Sequence, residues 1–366
     1  MFPQLKFSEA DIAARLAAVT ADEVSASLSR ERRGFGDLLN LISPAAAACL
    51  EPMREEATRC RRRFFGRTVS IYSPLYISNY CVNACKYCDF NIHHQYARKS
   101  LSMDEILQET AAIKSLGIDS LLLVSGEHPK VVTAEFLADL ARRLRQDFSY
   151  LSVEIAPMSE DDYRLLFEAG IEGVTLYQET YNEELYAELH PSGPKRDYHY
   201  RIATQERAGK AGMRNLGMGF LLGLYDWRFE AASLAAHAIY LHKRCWQSKI
   251  QFSFPRITPI SDGFQPPAPV GEAELEQLML AFRIVFPESD MTISTRERAE
   301  FRDRMVQCCA GNMSAGSRVT PGGYAILADQ DVGQFTLNDG RSVAEVEAAI
   351  RQNGLEVVRK YWDRVI

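Results

Sequence analysis

Cys81, Cys85 and Cys88 stand close together in the segment Cys81-Val82-Asn83-Ala84-Cys85-Lys86-Tyr87-Cys88-Asp89-Phe90, with three and then two residues between them. Thiolates at that spacing on one loop can converge on a single metal centre. A structural zinc site brings four protein ligands, and the chain has no second pair of cysteines two residues apart. His93 and His94 are the candidates for a fourth ligand, which keeps zinc as an alternative. Three thiolates alone suit a 4Fe–4S cubane whose remaining iron is open to a ligand that is not protein. Cys49, Cys60, Cys245, Cys308 and Cys309 lie apart from this group and read as ordinary buried thiols.

Such a loop needs a rigid frame. Strand-like apolar runs fall at 69–77, which leads into the cysteines, and then at 120–124, 151–155, 173–177, 215–222, 250–254, 291–295 and 312–315. Helical stretches alternate with them at 103–116, 133–147, 159–169, 198–211, 229–246, 272–286 and 298–309. Repeated strand–helix units imply a parallel sheet, and seven or eight of them predict a closed (β/α)8 TIM-type barrel over 69–325. An open doubly wound sheet is the competing fold, but no Gly-rich dinucleotide fingerprint follows the first strand.

Residues 1–68 read as a helical extension. Ser8 and Thr20 open two helices, the first carrying an Ile12, Leu16, Val19 stripe, and Ser43-Pro44 starts a third. The run Arg59, Arg61, Arg62 and Arg63 reads as a solvated face at a helix C-terminus. Residues 326–366 read as a C-terminal extension packed on the barrel, with a helix at 342–353 and an extended tail at 355–361.

The 366 residues carry 42 basic and 48 acidic side chains, a net charge of −6 that argues against nucleic acid or anionic membrane as the main partner. The N-terminus shows no export signal, and no apolar run reaches the roughly 18 residues that span a bilayer. A cytoplasmic location follows as the expectation. Thiols stay reduced there, so a tight cysteine group points to metal rather than disulfides.

The cysteine loop after the first strand, with the aromatic Tyr87 before its last cysteine, is similar to the signature of the radical S-adenosylmethionine superfamily. That resemblance implies a 4Fe–4S cluster whose open iron takes the amino and carboxylate groups of S-adenosylmethionine, and a 5′-deoxyadenosyl radical made by reductive cleavage. It also implies cofactor contacts. Tyr87 and Phe90 belong to the loop itself. Ser125-Gly126-Glu127 resembles the motif that approaches the amino group, with Ser in place of the usual first glycine. Gly219 to Asp226 resembles the adenine-side strand motif through Gly219 and Leu221, with Leu and Asp as departures. Glu154 and Gln178 end the third and fourth strands, at the height of ribose and substrate contacts, and Arg201 is the implied partner of the S-adenosylmethionine carboxylate. The structural alternatives are a glycine pair that serves packing and a strand-end Glu in an ion pair.

Six further segments resemble the aromatic amino acid lyases: Pro74 to Asn79, Ser125 to His128, Tyr177 to Tyr181, Ser253 to Arg256, Ser294 to Glu297 and Pro321 to Tyr324. The likeness runs from about residue 35 to the C-terminus and is greatest to the tyrosine lyases of the thiazole branch of thiamine biosynthesis. It implies cleavage of L-tyrosine to 2-iminoacetate and 4-cresol, transfer of 2-iminoacetate to thiazole synthase, and flavodoxin or ferredoxin as electron donor. An amino acid presents a carboxylate, and Arg296 at the end of the seventh strand offers it a planar two-point grip. Ser314 adds a hydroxyl, and Tyr76 faces the amino group or ring. Neutralisation of Arg296 by Glu297 or Glu300 is the structural alternative. The hydrogenase-maturation tyrosine lyase carries a further C-terminal cysteine set, and no cysteine follows Cys309 here. A tryptophan lyase stays open, because ring pockets differ by few residues. A non-catalytic iron–sulfur or zinc sensor is the alternative of another class.

Overall fold

The computed structural model describes residues 8–258, 263–326 and 333–359. Ser8 and Thr20 each accept the N–H three residues on, while Asp11 and Glu23 reach back to the cap N–H. These reciprocal caps start α1 (Glu9–Ala17) and α2 (Ala21–Ser29). Ile12, Leu16 and Val19 are buried. A third helix, α3 (Phe35–Ile42), was not expected from sequence. Phe35, Leu38, Leu39 and Ile42 repeat at helical spacing and Leu38 to Ile42 are buried, so the helix was marked by a short apolar stripe that sequence reasoning missed. A 3-10 turn at Ala45–Cys49 then leads into α4 (Leu50–Phe65). Gln277 ties this wrap to the barrel by donating to the carbonyls of Leu41 and Ser43.

The basic run of α4 is not a uniformly solvated face. Arg61 is fully buried, and its guanidinium donates to the carbonyls of Ala310, Gly66 and Thr68. Those carbonyls lie just after a helix and at the start of β1, and one planar five-donor group serves all three. Burial and the neighbouring Arg283 lower its pKa to about 10.

Eight parallel strands follow: β1 (Thr68–Ser78), β2 (Ser120–Ser125), β3 (Tyr150–Glu154), β4 (Gly173–Thr175), β5 (Asn215–Gly219), β6 (Lys249–Ser253), β7 (Asp290–Ile293) and β8 (Asn312–Ser314). Each pairs with the next, and β8 pairs with β1, so the sheet closes into the expected barrel. β1 is long enough to serve three partners. Its lower part pairs with β8 and with β9 (Glu356–Val358), and from Ser73 upward it pairs with β2. The expected tail at 355–361 is therefore partly a strand beneath β2; residues 360 and 361 lie outside the described residues.

Between β6 and the helix Glu272–Val285, Phe252, Phe254, Phe282 and Phe286 pack with ring centroids as close as 4.9 Å. Each such burial contributes roughly 1.5–3 kcal/mol. The expected helix at 198–211 is two, Tyr198–Ile202 and Thr204–Lys210. A short helix at Glu183–Leu189 was not expected. Among the described residues no helix is long and apolar enough to cross a membrane.

Candidate active site

The register of β1 against β2 shifts between Tyr76 and Ser78, and the chain turns there over the C-terminal mouth of the barrel. Cys81, Cys85 and Cys88 line one chamber at that mouth. The loop is clamped from behind by residues 189–195. Lys86 N–H donates to the Leu189 carbonyl at 3.1 Å, and Ala84 N–H to that of Ser192 at 3.3 Å. The Tyr87 hydroxyl lies 2.6 Å from His190 Nε2. His190 Nδ1 is 2.7 Å from the Tyr186 carbonyl, which requires the proton on Nδ1 and makes Nε2 the acceptor. Asn83, wholly buried, donates to Glu127 Oε2 at 2.9 Å and accepts from Lys195 N–H at 2.9 Å.

Two glycines make this closeness possible. A Cβ on Gly126 would meet the Tyr80 carbonyl oxygen at 2.4 Å, and one on Gly193, at φ +91°, would meet Asn83 Oδ1 at 2.3 Å. Among the described residues no three His, Cys, Asp or Glu side chains meet tightly enough to hold one ion. His93 and His94 do not line the chamber. The chamber lining supplies three thiolates, which suits a cubane in which each thiolate binds a different iron.

Behind the thiols runs a buried chain of charges. Arg201 donates to Glu127 at 2.9 Å and to Glu179 at 3.0 Å, and Lys195 Nζ donates to Glu179 at 2.7 Å. Burial alone would raise the Glu179 carboxyl, but Lys195 and Arg201 hold it below the ordinary range. Among the described residues, Glu179 is the only non-glycine with positive φ, at 73°, a strained backbone of the kind found at functional sites.

A second, larger chamber of about 140 Å³ lies over the barrel axis. Tyr76, Ser314 and Arg296 line it, and it shares Cys88, Glu154, Lys195 and Gln334 with the cysteine chamber. Arg296 is half-buried, with its guanidinium 3.5 Å above the Phe335 ring. Glu297 pairs instead with Arg256, and Glu300 lies by Arg298. Among the described residues no carboxylate forms an ion pair with Arg296. Burial pushes the Glu154 carboxyl up to about 7, against the pull of Arg296.

The family model of the Radical SAM superfamily matches residues 75–234, and that of the Biotin and Thiamin Synthesis associated domain matches 253–356. The 2-iminoacetate synthase of Escherichia coli (strain K12) is 40% identical over 354 residues, covering 96% of this chain and 94% of that protein. The chain belongs to the 2-iminoacetate synthase family. The Salmonella typhimurium 2-iminoacetate synthase matches equally, at 40% over the same shares. Among solved structures, the FeFe-hydrogenase maturase HydG of Carboxydothermus hydrogenoformans superposes with a TM-score of 0.84 at 29% identity, over 95% of this chain and 79% of that one. As a radical S-adenosylmethionine lyase of this family, the protein uses a 4Fe–4S cluster and S-adenosylmethionine.

In this 2-iminoacetate synthase homologue, Phe90, Ser125, Gly126, Glu127, Glu154 and Arg201 line the cysteine chamber, and Tyr87 and Leu221 the larger one. Gln178 and Gly219 line neither. The Gln178 side-chain nitrogen is buried without a partner among the described residues, and a Cβ on Gly219 would meet the Ser253 carbonyl oxygen at 2.0 Å, so this glycine lets β5 pack against β6. Asp226 caps the helix Trp227–Arg244, accepting from the N–H groups of Arg228 and Phe229, and stands outside both chambers. Sequence reasoning missed Asn83, Glu179, Lys195 and Gln334. Asn83 and Glu179 were inside quoted motifs, and Gly193-Pro194 before Lys195 was a visible turn signal. Gln334 had none.

Proposed function

We propose that the protein cleaves the Cα–Cβ bond of L-tyrosine to 2-iminoacetate and 4-cresol, supplying thiazole formation in thiamine biosynthesis. The observation that carries this reading is Arg296, a half-buried cation without a carboxylate partner among the described residues, facing the chamber that adjoins the three thiols. A cation in that state favours an anionic ligand, and a planar guanidinium grips a carboxylate at two points. Ser314 Oγ accepts from Thr295 N–H at 3.1 Å, which fixes the oxygen at the chamber wall beside Arg296. Tyr76, on β1 beside Ser314's strand and lining the same chamber with Cys88, is then the partner of the substrate amino group.

When bound, the cluster and S-adenosylmethionine supply a 5′-deoxyadenosyl radical that removes a hydrogen atom from that amino group. Cys81, Cys85 and Cys88 are the proposed ligands. Glu127, held by Asn83 and Arg201, is the proposed partner of the S-adenosylmethionine amino group, and Tyr87, Leu221 and Glu154 are proposed to hold its nucleoside. Arg201 already spends three N–H groups on Tyr177, Glu127 and Glu179. Lys195, which reaches both chambers, is the better placed cation for the cofactor carboxylate. Val124, Leu122 and Val319 line the larger chamber and exclude water from the radical.

Thiazole synthase as recipient, flavodoxin or ferredoxin as donor, and a cytoplasmic setting complete the proposal. The test is an anaerobic assay of the iron-reconstituted protein with dithionite, S-adenosylmethionine and tyrosine, read by mass spectrometry. The expected products are 5′-deoxyadenosine, 4-cresol and glyoxylate from hydrolysed 2-iminoacetate. 5′-Deoxyadenosine without 4-cresol would make tyrosine the wrong substrate and tryptophan the next to try. Neither product from a cluster-loaded protein would return the sensor reading.

A further inference from the structure

The segment 333–341 closes over the mouth of the barrel. Gln334 N–H donates to the Val319 carbonyl at 3.0 Å, Asn338 N–H to that of Thr295 at 2.9 Å, and the Asn338 side chain to that of Arg296 at 2.6 Å. Arg302 and Asp339, both buried, form an ion pair that pins its far end. Two adjacent residues of this strap touch the two groups proposed to hold the substrate's polar ends. Phe335 carries the Arg296 guanidinium on its ring. Gln334 Oε1 accepts from the Tyr76 hydroxyl at 2.6 Å.

We infer that Gln334 is a positioning residue that sets the hydrogen-bond polarity of Tyr76, so that its hydroxyl can only accept from the amino group of the substrate. The inference rests on the reading that the larger chamber takes tyrosine with its amine toward Tyr76. A phenol has one proton and two lone pairs. With the proton committed to Gln334, the lone pairs of this 3%-exposed side chain are left for the chamber. An amino group has N–H bonds to donate and meets that polarity. A carboxylate, which only accepts, does not. Released from Gln334, the same hydroxyl would be free to donate to the carboxylate and draw it from Arg296. Gln334 also lines both chambers, so it stands where the substrate amine and the cofactor must meet.

The experiment measures equilibrium binding of L-tyrosine and of 3-(4-hydroxyphenyl)propanoate, its amine-free counterpart, to cluster-loaded, unreduced protein with S-adenosylmethionine. Gln334→Leu should weaken tyrosine binding roughly tenfold, the loss of one well-made hydrogen bond. Binding of the amine-free ligand should stay within about twofold. Gln334→Glu, whose carboxylate can only accept, should keep tyrosine affinity. Equal weakening of both ligands would reduce Gln334 to a structural strap residue. Failure of Gln334→Glu to keep the affinity would mean that the bond runs the other way. Either result overturns the inference. Tyr76→Phe separates the levels. If it leaves tyrosine binding unchanged, the chamber reading fails and takes the inference with it. If it weakens tyrosine binding while Gln334→Leu does not, only the inference fails. Should the leucine variant not load its cluster, Gln334→Met replaces it in the same comparison.

Discussion

Replacing Asn83 by alanine should loosen the cysteine loop by about 3 kcal/mol. Asn83 is wholly buried; its side chain donates to the Glu127 carboxylate and, more weakly, to Cys81 Sγ at 3.7 Å, and accepts from Lys195 N–H. The bond to Glu127 is charge-assisted and contributes roughly 1.5–3 kcal/mol. Losing the one from Lys195 leaves a part-buried N–H short of its partner, at about 1 kcal/mol. Some relaxation of Lys195 toward water brings the sum back to about 3 kcal/mol. Two assays read it. Urea unfolding of the cluster-free protein reports the global share. The rate at which a chelator strips iron from the loaded protein reports local opening of the loop, and 3 kcal/mol there corresponds to an acceleration on the order of a hundredfold. Asn83→Asp keeps the acceptor for Lys195 but sets a second carboxylate against Glu127, so it should be at least as damaging. If Asn83→Ala matches the parent in both assays, the clamp behind the cysteines does not hold the loop and the reasoning fails.

Replacing any one of Cys81, Cys85 or Cys88 by alanine should abolish the cluster's visible absorbance and all cleavage of S-adenosylmethionine, whereas serine at Cys49, Cys60, Cys245, Cys308 or Cys309 should leave both intact; turnover in any of the first three would remove that ligand. Arg296→Ala should keep the cluster and weaken tyrosine binding by about 2 kcal/mol, the low end for a charge pair because Arg296 is only half-buried; an unchanged KM would exclude it from the substrate site. Glu230, buried and bonded to Thr180 and Tyr181, has its carboxyl pushed up by burial to about 8. The folded state then binds that proton more tightly than the unfolded chain, so stability is greatest below the ordinary carboxyl range and falls as pH rises toward about 8, by up to about 1.4 kcal/mol per unit. Glu230→Gln should flatten that slope in urea titrations between pH 5 and 8, and an unaltered slope would exclude Glu230 as its source.

The barrel was legible because its evidence is local. Each strand is a short apolar run and each helix a capped, periodic stretch, so β1 to β8 fall within a few residues of their expected places. The misses follow from the same physics. The helix α3 is only eight residues long, so its apolar repeat of Phe35, Leu38, Leu39 and Ile42 spans barely two turns and is easily passed over. Arg61 looked solvated because a buried arginine and an exposed one read alike until the carbonyls around it are known.

For the site, spacing along the chain singled out the three thiols and a family resemblance singled out Ser125-Gly126-Glu127, and the fold brings all six to one chamber. Nothing local could decide what faces them. Gln334 reaches Tyr76 across 258 positions of chain, and Asn83 meets Lys195 across 112. Those contacts exist only because the barrel closes and folds a C-terminal strap and the residues after β4 onto the same mouth. Whether Arg296 is neutralised by Glu297 or left for a ligand was likewise undecidable from adjacency. It depends on Arg256, 41 positions from Glu297, taking that carboxylate first. Spacing along the chain sets which groups are available, and closure of the sheet decides which of them are already paired with one another.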